Sequence, residues 1–401
     1  MTERYWSGER ARTLVVVLAT AACMRPAIVA LGPLVPSIVA ETGMSSGELG
    51  TLAAVPVLAF GLVSAFVAAP ARRIGFVRLA VLALAMLALG TAARLLPGTA
   101  PLWLGTALVG VAIAVLNVLM PAIVKREFPG RTGVVTGIYT TVLSGVAALA
   151  VAIAMPVTLL TGGQWRIALA ASLPVVLVAL VVALARARRE RALPGRDART
   201  PPVAEPAGAP LWTSPLAWAV TLFMGLQSGI YYTFAAWFPA MQRDLAGVDE
   251  TASGLLISVS MVLGLPFGML AGALMNRSPD QRRLVAAVLP LGVVPLIGAL
   301  VQPAWLPLWT VLVGVFTSIL LPVALGFVSE RADSPADAAR LSGMAQSIGY
   351  LVAAGGPFAA GALHGATGGW DAVLWMLLIA TGALGAAGIL AGRPRTLGGT
   401  A

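Results

Sequence analysis

Leu108-Val109-Gly110-Val111 recurs as Leu312-Val313-Gly314-Val315, 204 residues further along the chain. Gly50-Thr51-Leu52 matches Gly254-Leu255-Leu256 at the same offset, and Arg72-Arg73 is answered by Asn276-Arg277. Pro36 and Pro239 close corresponding segments, and Pro101-Leu102-Trp103 returns as Pro307-Leu308-Trp309 with a small change in length. Chance can produce any one of these in a chain so rich in Ala, Val, Leu and Gly. Their common order and near-constant spacing carry the argument that the chain is two copies of one unit.

Each copy is overwhelmingly apolar. Mean hydropathy is +0.91 and only 10% of the 401 residues are charged. That much apolar surface suits lipid, where helices satisfy their own backbone groups. No period-two alternation runs through the chain, which disfavours a transmembrane barrel. Apolar runs place twelve helices at 13–39, 48–70, 77–96, 101–124, 132–157, 165–185, 213–240, 251–275, 283–302, 304–328, 341–364 and 371–391. The expected fold class is therefore an all-α polytopic membrane protein. Residues 1–185 form one six-helix bundle, 211–401 form the other, and the Arg-, Pro- and Ala-rich stretch 186–210 links them. Six is an even number, so the two halves run parallel. Parallel repeats of this kind place a binding site between halves, near the midplane.

The formal charge of +10 can signal nucleic acid in a soluble chain. Its distribution excludes that here. All basic residues except Arg25, Arg94, Arg166 and Arg243 fall in the two terminal segments and the loops on the same side as them. The positive-inside rule then puts both termini in the cytoplasm of a bacterium, with a multi-pass inner-membrane chain between them. The basic loops, Arg72, Arg73 and Arg277 among them, read as topology signals and gate positions that touch anionic lipid. Arg94 and Arg166 are expected at the outer surface. Trp103, Trp165, Trp212, Trp218, Trp305, Trp309 and Trp370 are expected as interfacial anchors. Cys23 is the only cysteine, so no internal disulfide forms. No metal cluster, nucleophile elbow or Walker motif is present, so no cofactor and no enzymatic activity are expected.

Arg25 stands out. It lies twelve residues beyond Thr13, roughly 18 Å into a core of about 30 Å. A cation there costs about 2.5–3.5 kcal/mol on insertion scales. No Asp or Glu lies inside any apolar run, so the counter-charge is expected to be a substrate. Other polar side chains at depth are Asn117, Tyr139, Gln227, Tyr231, Tyr232, Gln346 and Tyr350. Gln227 with Tyr231, and Gln346 with Tyr350, are i,i+4 pairs on one helix face. Each joins an amide to a phenol, which suits a small polar ligand with an aromatic wall. Buried Ser and Thr are expected mostly to bond carbonyls of their own helix. His364, the only histidine, is a candidate for proton coupling or a polar helix end. Gly382, Gly385 and Gly388 read as close helix packing rather than a phosphate loop.

Several strings resemble a known family. Arg25-Pro26-Ala27 with Gly32-Pro33-Leu34 is similar to the first span of the cyanate/nitroimidazole transporter family of the major facilitator superfamily. Gly225-Leu226-Gln227-Ser228 and Ala236-Trp237-Phe238-Pro239 resemble its seventh span, and Gly137-Ile138-Tyr139-Thr140-Thr141 its fifth. Leu341-Ser342-Gly343-Met344-Ala345-Gln346-Ser347-Ile348-Gly349-Tyr350 and Gly361-Ala362-Leu363-His364 resemble its eleventh. The resemblance implies the major facilitator fold in a monomeric secondary transporter. Its implied cargo is a small anion such as cyanate, with protons as a candidate co-substrate, or nitroimidazole-type compounds moved outward. Ala71 stands where the superfamily usually has Asp, and Gly365 follows His364 where the family often has an acid.

Overall fold

The computed structural model describes residues 8–128, 131–192, 211–275, 277–333 and 335–398. Among them the chain is helical, with no strand. Helix α1 is built of three segments, Gly8–Met24, Pro26–Val29 and Leu31–Thr42. It is followed by α2 (Ser46–Ser64), α3 (Phe76–Ala93), α4 (Thr99–Glu127), α5 (Thr132–Leu160) and α6 (Leu173–Ala192). The second half comprises α7 (Pro215–Ala246), α8 (Glu250–Met275), α9 (Arg282–Val288 continued by Pro290–Val301), α10 (Leu306–Glu330), α11 (Pro335–Thr367) and α12 (Asp371–Ala391). Both termini lie on one face, here called the terminal face. Helix α6 continues through the first residues of the expected linker, and 193–210 lie outside the described residues.

The repeat is visible in the turns as well as the helices. Gly43 ends α1 at φ 66° and Gly247 ends α7 at φ 65°, a left-handed conformation that favours glycine. Two residues on, Ser45 caps α2 by accepting a hydrogen bond from the Glu48 N–H, completed as a capping box. In the same place Asp249 accepts from the Ala252 N–H, 2.9 Å away, at the start of α8. Gly43 to Gly247 and Ser45 to Asp249 are both 204 residues apart, the offset of the sequence repeat.

Ten helical stretches are long and apolar enough to cross a membrane by composition. The two long helices that are not are α7 and α11. Both have the length, at 32 and 33 residues, but polar residues dilute them. They are also central: α7 packs on α11, α11 on α2, and α5 on α8. These last two pairings join the halves.

The inter-half seam is closed on the face opposite the termini. A Cβ added to Gly50 would lie 3.0 Å from Gly361 Cα, and one added to Gly361 would lie 2.9 Å from both Gly50 Cα and the Trp237 ring. One added to Gly254 would lie 2.9 Å from the Val151 carbonyl oxygen. Ser258, a turn deeper, donates to the Ala148 carbonyl across the same seam at 2.6 Å. Towards the terminal face, Gly137 and Gly145 of α5, Gly272 of α8 and Gly343 of α11 have nothing within 4 Å of such a Cβ.

Some basic residues on the terminal face do more than mark topology. Arg331 is 2% exposed; its Nε donates to Ala391 O at 2.7 Å and its Nη2 to Pro279 O at 3.1 Å. Arg186 is also buried, bonded to Thr13 and paired with Glu127 at 3.5 Å. These two tie helix ends together: Arg331 is held by backbone carbonyls, which attract cations at a helix C-terminus, and Arg186 by a hydroxyl and a carboxylate. Asp280, half-buried in the α8–α9 loop, is held at a pKa of about 2 by hydrogen bonds from Arg282.

Gly361→Leu is expected to block closure of the opposite face. Labelling of a cysteine introduced at that face should quicken by about tenfold, the equivalent of some 1.4 kcal/mol. The buried native Cys23 leaves that assay a quiet background.

Candidate functional site

Proline shapes the site. Pro26 has no N–H to give, and the residue before a proline is pushed out of regular helix. Arg25 sits at that break, between the first two segments of α1, with φ −100° and ψ −36°. Its carbonyl still accepts from the N–H groups of Ile28 (2.9 Å) and Val29 (3.1 Å), so the chain resumes as helix at once. The break allows a long side chain to leave α1 towards the second half.

There the Arg25 guanidinium meets α7. Its Nη1 donates to the Tyr231 hydroxyl at 3.4 Å, and its Cζ lies 4.8 Å from the Tyr231 ring centroid. Cation–π attraction of this kind is worth about 0.5–2 kcal/mol. Tyr232 packs edge-on to Tyr231 with centroids 5.1 Å apart. Phe60 of α2 bridges onwards, 6.2 Å from Tyr232 and 5.3 Å from Tyr350 of α11. Tyr350 lies within electrostatic reach of Arg25, and Tyr139 of α5 within reach of Tyr350. Sequence reasoning missed Phe60. One cation and a ring of aromatics thus come from α1, α2, α7 and α11, two helices from each half.

Among the described residues no carboxylate enters this ring. The ion pairs among the described residues lie at helix ends and loops, at Glu41, Glu127, Asp244, Asp280 and Asp337. Arg25 belongs to none of them. The first two acids that follow Arg25 in sequence are engaged elsewhere. Glu48 closes its capping box, while Glu41 accepts from Trp165 Nε1 at 2.6 Å and pairs with Arg166.

The two amides are turned aside. Gln227, 2% exposed, donates to Ser228 Oγ at 2.7 Å and approaches Met224 Sδ at 3.4 Å. Gln346 donates to Ser342 Oγ at 2.9 Å. Both are satisfied on their own helices. Asn117 is half-buried on α4. Most buried hydroxyls bond the carbonyl one turn back, as Thr20, Thr91, Thr106 and Thr381 do. Arg73 and Arg277 are exposed on the terminal face, and the side chain of Arg72 lies outside the description.

His364 stands at the opposite-face end of α11. Its ring stacks on Trp370 at 3.8 Å and 11°, and its Nδ1 lies 3.1 Å from Gly369 O. Trp370 is 3% exposed and donates to Asp244 Oδ2 at 3.0 Å. Trp165, 2% exposed, does the same to Glu41. These two tryptophans are therefore not interfacial anchors. Each ties the entry to its half's last helix to a carboxylate at the end of that half's first helix.

Arg94 departs furthest from expectation. It caps α3 at the opposite face, yet it is 2% exposed and reaches the Ala27 carbonyl of α1 at 2.5 Å. Gly385 and Gly388, as expected, make room for neighbours, at Leu289 and at Phe223 and Val285.

The description Major Facilitator Superfamily matches residues 17–354. The chain belongs to this superfamily, and within it to the cyanate/nitroimidazole transporter family. It is 34% identical over 392 residues to the 2-nitroimidazole transporter of Escherichia coli (strain K12), covering 98% of each chain. It is 36% identical to the uncharacterized transporter YycB of Bacillus subtilis (strain 168), over 93% of this chain and 91% of that one. Identity to the cyanate transport protein CynX of Escherichia coli (strain K12) is 30%, over 89% and 91%. Among solved structures, the nucleoside transporter NupG superposes with a TM-score of 0.72 at 11% identity, covering 95% of this chain and 99% of that one. A D-xylose-proton symporter gives 0.70 at 14% identity, over 96% and 99%. The fold is thus the twelve-helix major facilitator fold, two six-helix halves in parallel repeat, and the protein is a multi-pass membrane transporter.

Replacing Asp244 by Ala should leave the buried Trp370 N–H unpartnered. A loss of about 1–3 kcal/mol is expected, read as a lower melting temperature in detergent. Asp244→Asn keeps an acceptor and should lose less.

Proposed function

We propose that this protein is a secondary transporter moving a small anion or strongly dipolar planar solute by alternating access, with Arg25 binding the substrate. The observation that carries the reading is the Arg25 guanidinium, held at the α1 break against Tyr231 with no carboxylate in the surrounding ring. A guanidinium is always charged and offers a planar fork of donors, matched to two oxygens of one group or to a slender linear anion. Tyr231, Tyr232, Tyr350 and Phe60 add flat apolar walls. Tyr139, Asn117, Gln227 and Gln346 complete the proposed lining once the halves move. The names of two relatives, a cyanate transport protein and a 2-nitroimidazole transporter, fit such a cage. Cyanate is a small anion, and a nitro group presents two partly negative oxygens on a flat ring.

The basic-residue pattern supports placing the terminal face, with both termini, in the cytoplasm of a bacterium and the chain in its inner membrane. The halves 1–185 and 211–401 then rock as two bodies joined by the 186–210 linker, in a monomer that needs no cofactor. Arg72, Arg73 and Arg277 would act at the cytoplasmic gate.

Taking up one negative charge against an inside-negative potential costs about 2.3 kcal/mol per 100 mV. Uptake therefore needs a co-transported proton, exchange for another anion or rapid consumption inside. His364, stacked on Trp370 with Trp237 tilted beside it at the opposite face, is the coupling candidate. Efflux of nitroimidazole-type or other heteroaromatic compounds is the second reading, favoured by the four aromatic rings in the cage.

In proteoliposomes, Arg25→Ala should abolish cyanate or nitroimidazole counterflow while folding and inserting normally, and Arg25→Lys should retain a fraction of wild-type transport. Wild-type counterflow by Arg25→Ala would overturn the assignment. Phe60→Ala should raise the KM for 2-nitroimidazole by about tenfold, through one lost aromatic contact, and leave cyanate nearly unaffected. An imposed pH gradient that leaves accumulation unchanged would remove proton coupling.

A further inference from the structure

Arg94, like Arg186 and Arg331, is a buried cation, and the site above does not use it. It lies at the opposite-face end of α3, where a side chain of its length could have turned to water. Instead the fold sends it inward. α3 and α4 cross closely at Gly90 and Gly105. A Cβ at Gly105 would lie 2.6 Å from the Gly90 carbonyl oxygen and 2.8 Å from Arg94 Cγ. Glycine at 105 thus opens the passage for the Arg94 stem.

At the end of that passage the guanidinium is poorly satisfied. It has five N–H donors. Its one hydrogen bond is to Ala27 O at 2.5 Å, and its Nε is buried with no partner. It belongs to no ion pair among the described residues. A neutral carbonyl does not balance a buried charge, which demands a negative partner or several strong acceptors.

Arg94 lines a small cavity of about 20 Å³. The walls come from both halves: Gly32 of α1, Pro56 of α2 and Thr106 of α4 on one side, Tyr232 and Ala235 of α7 on the other. The α1 and α7 backbones meet beside it, since a Cβ at Gly32 would lie 3.2 Å from the Ala235 carbonyl carbon. Tyr232 is shared. It packs on Tyr231, over which Arg25 lies, and it walls the Arg94 cavity. When the halves part on the opposite face, this α1–α7 contact is among those that separate, and the cavity widens.

We propose that Arg94 forms a second anion-binding site on the opposite-face side of Tyr232, which holds a small monoanion of a few heavy atoms as it passes to or from Arg25. The inference rests on the anionic cargo proposed above. The Arg94 site acts only on the opposite-face leg of the cycle, whereas Arg25 serves both.

The test is sided transport of labelled cyanate in right-side-out and inside-out vesicles containing the full chain. For Arg94→Gln, the KM from the opposite face should rise by about tenfold, the usual cost of one charge-assisted contact. The KM from the terminal face should stay within about twofold. Arg94→Lys, which keeps the charge and alters the hold on Ala27, should keep the opposite-face KM within about threefold. Equal changes from both faces, or loss of transport by Arg94→Gln and Arg94→Lys alike, would show a structural pin and overturn the proposal. An unchanged KM for Arg94→Gln from both faces would overturn it too. Arg25→Ala, measured in the same vesicles, tests the cargo reading separately, since it should abolish transport from either face.

Discussion

A guanidinium at the middle of a bilayer cannot shed its proton and cannot stay unpaired at low cost. Much of the centre of this protein follows from that constraint. Pro26 interrupts α1 directly after Arg25, whose side chain runs to the second half. Tyr231 offers a hydroxyl and a ring face, which hold the cation without neutralising it. The carboxylates are engaged at helix ends, where they cap, pair or hold tryptophans. A carboxylate beside Arg25 would complete the pair and make an anionic cargo redundant. On the reading proposed above, the binding capacity of the cage depends on what the surrounding helices leave out.

The second organising feature is duplication. Gly43 and Gly247 end the first helix of each half in the same left-handed turn, and Ser45 and Asp249 cap the helix that follows. Trp165 and Trp370 then fasten the sixth helix of each half to the carboxylate at the end of the first. Each half is thus braced by its own polar contacts at the opposite face. At that face the seam between halves relies on glycine, a serine hydroxyl and backbone carbonyls. Stiff units joined by a seam of small residues can rock against one another, because few side chains must repack when the seam opens.

Much of this was legible in the sequence. Twelve apolar runs, an offset of 204 and a one-sided distribution of arginine specify the architecture. Arg25, Tyr231, Tyr232 and Tyr350 stand out as polar groups where only apolar ones are expected. Phe60 does not, because a phenylalanine in an apolar helix looks the same whether it faces lipid or a cavity. Spacing alone does not give the direction of the Gln227 and Gln346 amides. Helical spacing places them on the face of Tyr231 and Tyr350, yet their amides reach neighbouring hydroxyls on their own helices. Arg94 reads as a surface residue because its direction is set by the Gly90–Gly105 crossing of two helices, which spacing along one helix does not encode. Trp165 and Trp370 read as interfacial residues for want of the carboxylates that bury them, each more than 120 residues away in sequence.

The low apolarity of α7 and α11 has a consequence at the birth of the protein. During synthesis each segment is offered to the lipid in turn, and entry depends on its own transfer free energy. Ten stretches are long and apolar enough to cross a membrane by composition. α7 and α11, diluted by polar residues that include those of the cage, are not among them. Their insertion is expected to lean on segments already in place, α2 among them, so that the nascent second half would depend on the first for its assembly.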